Sequence, residues 1–411
     1  MDPRATSESR WATAGPDFLR SEAAGGAALL VATVIALIWA NIPGDNGYVD
    51  FWHHEITLGW GDFSITHDLQ HWINDGLMTL FFFVVGLEVK RELAEGELNE
   101  PRKAALPFLG AVGGVLVPIV IFKLIVGNGT GADGWAIPMA TDIAFAVAVL
   151  AVLGKRIPAG VRILLLSIAI VDDVLAILVI AVFYSSGVSV AWLAAFAFSI
   201  ALVLIMRRLG VVRIWPYALL GLIAWVELYE SGIHATLVGV AFGLLTPAGI
   251  VGGRHLLSDL EHSIHPWTGF FVIPVFALAN AGIVFSAPLI SDAVASSLFW
   301  GIIVGLVFGK TIGISLFTWL SVRFGLGSLP EGVKASHVAG VAMLGGIGFT
   351  VSIFITQLSF GNSELTEIAK MGILAGSIAS AIAGSVMLLG AGKEPGQLSV
   401  AEARDPSAQD S

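Results

Sequence analysis

From residue 22 to residue 390 the chain alternates long apolar runs with short polar or Gly- and Pro-containing breaks. An apolar run of about 20 residues crosses a bilayer as one helix. The pattern predicts twelve spans, near residues 22–41, 69–89, 104–126, 134–153, 163–184, 190–206, 214–229, 232–247, 267–287, 296–321, 335–358 and 370–390. Residues 22–391 thus read as one helical domain. Residues 1–21 form a polar N-terminal tail, and residues 392–411, rich in Gln, Ser, Pro and acids, read as a disordered C-terminal tail. The mixed-charge start does not resemble a cleavable leader, so the first run is expected to remain as a span.

Three stretches depart from the pattern. The connection 44–66 contains Glu55 to Leu58 and Phe63 to Thr66 around Gly59-Trp60-Gly61-Asp62. Two β-prone runs about a Gly-rich turn predict a small hairpin in place of an irregular loop. Its free edges could pair with another subunit. The fourth span carries Pro138, which removes a helix donor, followed at once by Thr141, Asp142 and Phe145. The eleventh carries Gly345, Gly346 and Gly348 before Phe349 and Thr350. Small residues also serve close helix packing, but beside the fourth span they read as a second interruption. Paired interruptions in corresponding positions point to a transporter site. If spans three to five match spans ten to twelve, the two units run in opposite senses and each interrupted helix is the middle member of its three.

Charges inside the spans narrow the chemistry. Asp172 and Asp173 sit at the middle of the run 163–184. An Asp at the centre of a membrane helix costs roughly 2.5–3.5 kcal/mol to insert. Simple anchoring never requires two, although a structural pair held by hydrogen bonds or a buried base is an alternative. Such groups usually mark an ion or proton route. Successive helix residues point about 100° apart, so the two carboxylates should have different jobs. Lys310 lies deep in span ten, too deep for easy snorkelling, and should have a carboxylate partner.

Composition agrees: the 411 residues are 56% hydrophobic and 13% charged, which defines an all-α polytopic membrane protein. With no cysteine, disulfides and thiolate metal sites are excluded. Of 21 Lys and Arg residues, eighteen fall on the side of the termini, two (Lys123 and Lys370) on the other, and Lys310 within a span. That bias places both termini in the cytoplasm. Other polar positions are weaker signals. Asp75 lies near the external end of span two. At the other end of that span, Glu88, Arg91 and Glu92 share a helix face. The loop with Arg254, His255, Asp259, Glu261, His262 and His265 reads by itself as a solvated, titratable loop. A lone His234 at the start of span eight reads as structural.

Ile73-Asn-Asp-Gly-Leu77, Phe83 to Glu92, Ala140-Thr-Asp-Ile-Ala-Phe145, Ile170-Val-Asp-Asp173, Gly232 to Thr236, Leu260 to Trp267, Phe276 to Gly282 and Gly346 to Thr350 together resemble the NhaA-type sodium/proton antiporters. That family is known for inverted repeats and discontinuous helices. The resemblance covers roughly residues 20–390 and implies twelve helices, with the fourth and eleventh unwound where they cross. It implies homodimerisation through the 44–66 hairpin. Asp173 matches the principal sodium-binding acid, and Asp172 the acid that pairs with Lys310. Thr141 and Asp142 match the crossing. Glu88, Arg91, Glu92, Glu261 and His262 match a pH-responsive cluster at the inner funnel, and His234 a further position tied to pH dependence. The stretch Thr246 to Leu257 departs from the family pattern in being Gly-rich, with one Arg and no acid, which bears on the pH set point.

The physical logic stands beside the resemblance. Sodium takes oxygen ligands, and Asp173 and Asp172, with the Thr141 hydroxyl and unwound carbonyls, can supply them. A proton competes for the same carboxylate, and alternating access turns competition into exchange. At the crossing, paired helix N-termini suit Asp142 and paired C-termini suit Lys310. The expected activity is electrogenic sodium or lithium export against proton import, two protons per sodium, regulated by pH, in a bacterial inner membrane. No cofactor and no nucleic-acid partner is expected; the partners are lipid and a second copy. A sodium-coupled organic-anion symporter would need a roomy polar pocket. An intramembrane aspartyl protease would need Asp142 and Asp173 to meet at one water, with Lys310 an unwanted neighbour. A passive channel has no use for paired titratable acids.

Overall fold

The structure is a computed structural model that describes residues 16–44, 47–60, 63–185, 187–251 and 253–391. Most of the expected tails therefore lie outside the described residues. The first helix, α1, begins at Pro16 (Pro16–Ala40), and its stretch apolar enough to cross a membrane is Ala23–Ala40. Next come β1 (Glu55–Trp60), β2 (Phe63–Asp68), α2 (Leu69–Glu95), α3 (Pro101–Val126), the interrupted α4 (Ala132–Leu153), α5 (Ala159–Phe183), α6 (Val190–Arg208) and α7 (Ile214–Glu230). The chain continues with α8 (Leu237–Leu245), α9 (256–280), α10 (Ser297–Arg323), α11 (Ala335–Leu344 and Phe349–Phe360) and α12 (Glu364–Gly390).

These segments follow the expected spans in order. Eight are long and apolar enough to cross a membrane, or nine with the bent pair of α11, counted among the described residues. The remaining three are weaker: α7 has 17 residues, α8 has nine, and α9 begins in a charged turn at 256 instead of at 267. Lipid is the medium the surface is built for. Leu124, Val152 and Val190 are 79%, 84% and 78% exposed, an arrangement that water would penalise.

The hairpin between α1 and α2 is present. β1 and β2 pair antiparallel from Glu55↔Asp68 to Trp60↔Phe63, with Gly61 and Asp62 of the expected turn outside the described residues. Its base is anchored by Trp72 Nε1, which donates to Ile56 O at 3.0 Å, and by a bond between His67 and the Tyr229 hydroxyl. A second two-stranded pair, Ile250–Val251 with Arg254–His255, orders part of the Gly-rich stretch before α9.

Close backbone packing sets the depth of the buried base. α3 and α10 meet through Gly113 and Gly313, where a side chain on Gly113 would stand 2.6 Å from Phe317 Cγ. A Cβ on Gly309 would stand 2.7 Å from Pro118 Cα. The Lys310 stem runs past Gly114, whose missing Cβ would lie 3.7 Å from Lys310 Cδ. Three π-helical turns, at Ile73–Leu77, Thr268–Val272 and Gly305–Gly309, interrupt α2, α9 and α10. Apolar periodicity does not reveal them. Such turns often mark functional positions, and the third ends immediately before Lys310.

Candidate ion-binding site at the helix crossing

α4 opens as a 3-10 helix over Ala132–Met139, runs extended through Ala140 and Asp142, and resumes as an α-helix at Ile143–Leu153. α11 stops at Leu344, resumes at Phe349 and bends by 46°. The two breaks touch: the Asp142 N–H donates to Ile347 O at 2.6 Å. The aromatics after each break, Phe145 and Phe349, pack edge to face with centroids 5.9 Å apart. None of Gly345, Gly346 and Gly348 has a positive φ; their role is room. A Cβ on Gly346 would meet Ser380 Oγ at 2.6 Å, and one on Gly348 would meet Ala140 O at 3.1 Å. Close packing and interruption, alternatives in the sequence, are here one feature.

Interrupted helices leave donors and acceptors that must be answered. Asp142 answers both N-termini. Its Oδ1 accepts from Phe145 N at 3.0 Å in α4, and its Oδ2 from Thr350 N at 3.0 Å and Thr350 Oγ1 at 2.6 Å in α11. Two carbonyls at the break-side ends of the first halves are answered by hydroxyls: Thr141 Oγ1 donates to Gly345 O at 2.7 Å, and Ser352 Oγ to Ile137 O at 2.8 Å. Lys310 meets the carboxylate partner that the resemblance implies, and not the carbonyl ends: its ammonium donates to both oxygens of Asp172, at 2.8 and 2.7 Å, and among the described residues to nothing else. Both partners are buried, at 0% and 2% side-chain exposure. The bidentate carboxylate is the stronger acceptor, since charge-assisted bonds exceed those to neutral carbonyls.

Asp173, the next residue, points elsewhere. Its carboxylate makes no hydrogen bond or ion pair with any described residue and lines a cavity of about 90 Å³. Asp142 and Thr350 share the wall with it, whereas Asp172 and Thr141 do not. Thr141 neighbours Asp172 instead. Of the three residues expected to hold sodium, only Asp173 therefore reaches the cavity. Thr350 is the hydroxyl the sequence reading left without a role. A hydroxyl one residue past a Gly-rich break was its only signal.

At the other end of the cavity stand Glu88, Arg91, Glu261 and His265. Arg91 bonds Glu261 and lies 3.8 Å from the buried Glu92, and His265 Nε2 lies 3.7 Å from Glu88 Oε1. Four of the five expected members of this cluster thus meet. The fifth, His262, is exposed and makes no hydrogen bond or ion pair among the described residues. One helical turn on, it is His265 that lies beside Glu88. Asp75 and His234 lie apart from it, towards the hairpin. Asp75 sits 3.2 Å from His71 Nε2, and His234 Nε2 contacts Tyr184 O at 2.7 Å.

Two broken helices that meet at buried carboxylates beside a small cavity, in a multi-span helical protein, have the build of a membrane transporter. The chain belongs to the Na+/H+ antiporter 1 family, whose model matches residues 16–388. It is 43% identical to the Na(+)/H(+) antiporter NhaA of Rhodopirellula baltica over 420 residues, covering 92% of this chain and 94% of that protein. It is 44% identical to NhaA of Salmonella typhimurium, covering 89% and 95%. It is 43% identical to NhaA 2 of Erythrobacter litoralis, covering 95% and 97%.

Proposed function

We propose that this protein is an electrogenic sodium (or lithium)/proton antiporter that exports sodium against imported protons by alternating access. The observation that carries the reading is the division of labour between neighbours: Asp172 is clamped by Lys310, and Asp173 is unpaired at a cavity wall. An unpaired carboxylate can hold either a sodium ion or a proton, never both. Asp142 and Thr350, on the same wall, offer further oxygen atoms. Asp172, paired with Lys310 and beside Thr141, stands one residue behind the cavity. Sodium entering near Asp173 competes with Lys310 for negative charge, and Lys310 then releases a second proton. Two protons per sodium move one net charge, worth about 2.3 kcal/mol per 100 mV of membrane potential. A cavity of about 90 Å³ argues against the organic-anion symporter, since small-molecule pockets run to about 300–1,000 Å³.

The Glu88–Arg91–Glu261–His265 group at the mouth is the pH-responsive element, with Glu92 beneath it. His262 and His234 act from outside it. The basic loops place the termini in the cytoplasm, in a bacterial inner membrane, and the role is sodium and pH homeostasis. Spans three to five and ten to twelve are inverted repeats. The protein is a homodimer through the 44–66 hairpin; deleting Ile56 to Ile65 should give monomers that still transport, and persistent dimers in mild detergent would exclude the hairpin. The decisive experiment is proton flux in everted vesicles at several pH values. Sodium and lithium should each dissipate a preformed proton gradient while potassium does not. An equal response to all three, or to none, overturns the antiporter reading.

A further inference from the structure

Three helices that wall the cavity carry it towards the hairpin side and then close it. Phe81 of α2, Ile273 of α9 and Thr350 of α11 line the cavity. Seven residues further towards the hairpin on each helix stand Asn74, Asn280 and Gln357. Seven residues are about two turns and about 10 Å, so each amide lies on roughly the same face as its cavity-lining counterpart. These three amides, with Gln70, form a network of four. Asn280 Nδ2 donates to Asn74 Oδ1 at 2.7 Å, and Asn74 Nδ2 returns the bond to Asn280 Oδ1 at 3.1 Å. Gln70 Nε2 donates to Asn280 Oδ1 at 3.2 Å and to Ala279 O at 2.9 Å, and Gln357 Nε2 to Asn280 Oδ1 at 3.4 Å. Asn280 is fully buried. Between cavity and amides lies a dry layer in which Phe354 packs on Phe82 and Phe276, with centroids 5.5 and 6.4 Å apart.

We infer that this amide network, centred on Asn280, is the latch that holds the hairpin-side gate shut in the state seen here. Every member is neutral, so the layer neither captures a passing cation by charge nor titrates. Its bonds join α2 to α9, and one, from Gln357 Nε2 to Asn280 Oδ1, ties that pair to α11, one of the two helices that cross at the site. Movement of α11 against that pair would break this tie between elements and no bond within them. Buried amides must be satisfied, so opening requires water to replace the partners, which couples the latch to hydration of the exit. Asn74 sits within the π-helical turn Ile73–Leu77, a segment with a ready alternative hydrogen-bond register.

The inference rests on alternating access, and the test separates the two. Because the chain has no cysteine, Val84→Cys, on the cavity wall, supplies a single thiol. Its labelling by a membrane-impermeant maleimide is measured in everted and in right-side-out vesicles. With the network intact, labelling should be fast from the cytoplasmic side and slow from the hairpin side. Adding Asn280→Ala or Asn74→Ala should raise the hairpin-side rate about tenfold and lower the cytoplasmic-side rate. A merely structural role would move both rates together. The milder Gln357→Leu, which removes one 3.4 Å bond, should give a smaller shift of the same sign should the Asn variants fail to fold. Labelling from the cytoplasmic side alone in every variant overturns alternating access, and the latch with it. Labelling from both sides at rates indifferent to all three variants overturns the latch and leaves alternating access standing.

Discussion

The two ends of the ion path are built from different chemistry. The end nearer the basic loops is charged: Glu88, Arg91, Glu92, Glu261 and His265 gather at the mouth of a cavity that reaches Asp173. The end nearer the hairpin is neutral and dry, with three packed phenylalanines backed by amides. One end gathers ionisable side chains; the phenylalanine and amide layers of the other contain none. Asp142 marks the boundary, since it caps two helices with one carboxylate. A gate made of charges would pay heavily for each desolvation, whereas amide pairs exchange protein partners for water at modest net cost.

The comparison can be broken most forcefully at Asp173. Asp173→Asn puts the amide chemistry of the hairpin end into the charged one. Sodium-driven proton release in vesicles should fall to background while the purified protein still elutes as a folded assembly, because an amide cannot cycle a proton. Normal exchange in that variant would remove Asp173 from the mechanism.

Lys310→Gln comes next. It leaves Asp172 buried without its partner, which costs about 3–5 kcal/mol when the remaining charge persists, so thermal stability should drop. Sodium-dependent current on a solid-supported membrane should vanish while electroneutral exchange continues. A variant with unchanged current would make Lys310 a brace alone.

Glu261→Gln tests the mouth. Losing a partly exposed ion pair worth about 0.2–1 kcal/mol should move the pH midpoint of exchange by about 0.2–0.7 unit. Asn280→Ala, at the opposite end, should leave that midpoint where it was. A midpoint that shifts equally in both variants would erase the distinction between the two ends.

The smallest effect concerns His67 in β2. Burial, and secondarily the neighbouring His71, hold its imidazole below the usual histidine range, against the opposing pull of Asp75 and Asp68. A histidine with a lowered folded value contributes stability that is present above its unfolded value of about 6.5 and is lost as pH falls below it. The unfolding temperature should therefore decline slightly from pH 7 to pH 5, and His67→Gln should flatten that decline. An identical slope in both proteins would place the pH sensitivity elsewhere.

Much of this was legible in the linear chain because membrane segments obey strong local rules. A run such as 163–184 must be helical, since lipid offers its backbone no other partner. Within it, paired acids are too costly to be incidental. Pro138 and the glycines at 345, 346 and 348 announced the two breaks for the same local reason. Three-dimensional packing decided what each group faces. The resemblance pointed to Asp172 as the partner of Lys310, but only the fold sets both oxygens of that carboxylate, 138 positions away, against the ammonium and leaves the carbonyl ends to Thr141 and Ser352. Nor does a helix wheel choose His265 over His262 at the mouth; that follows from how α9 lies against α2. The amide latch joins α2, α9 and α11, far apart in the chain, and asparagines in an apolar run look alike until a fold pairs them. Local chemistry determined the spans, the breaks and the acids. Long-range contacts, which only a packed bundle can make, decided which acid is clamped, which is free, and which end of the path is dry.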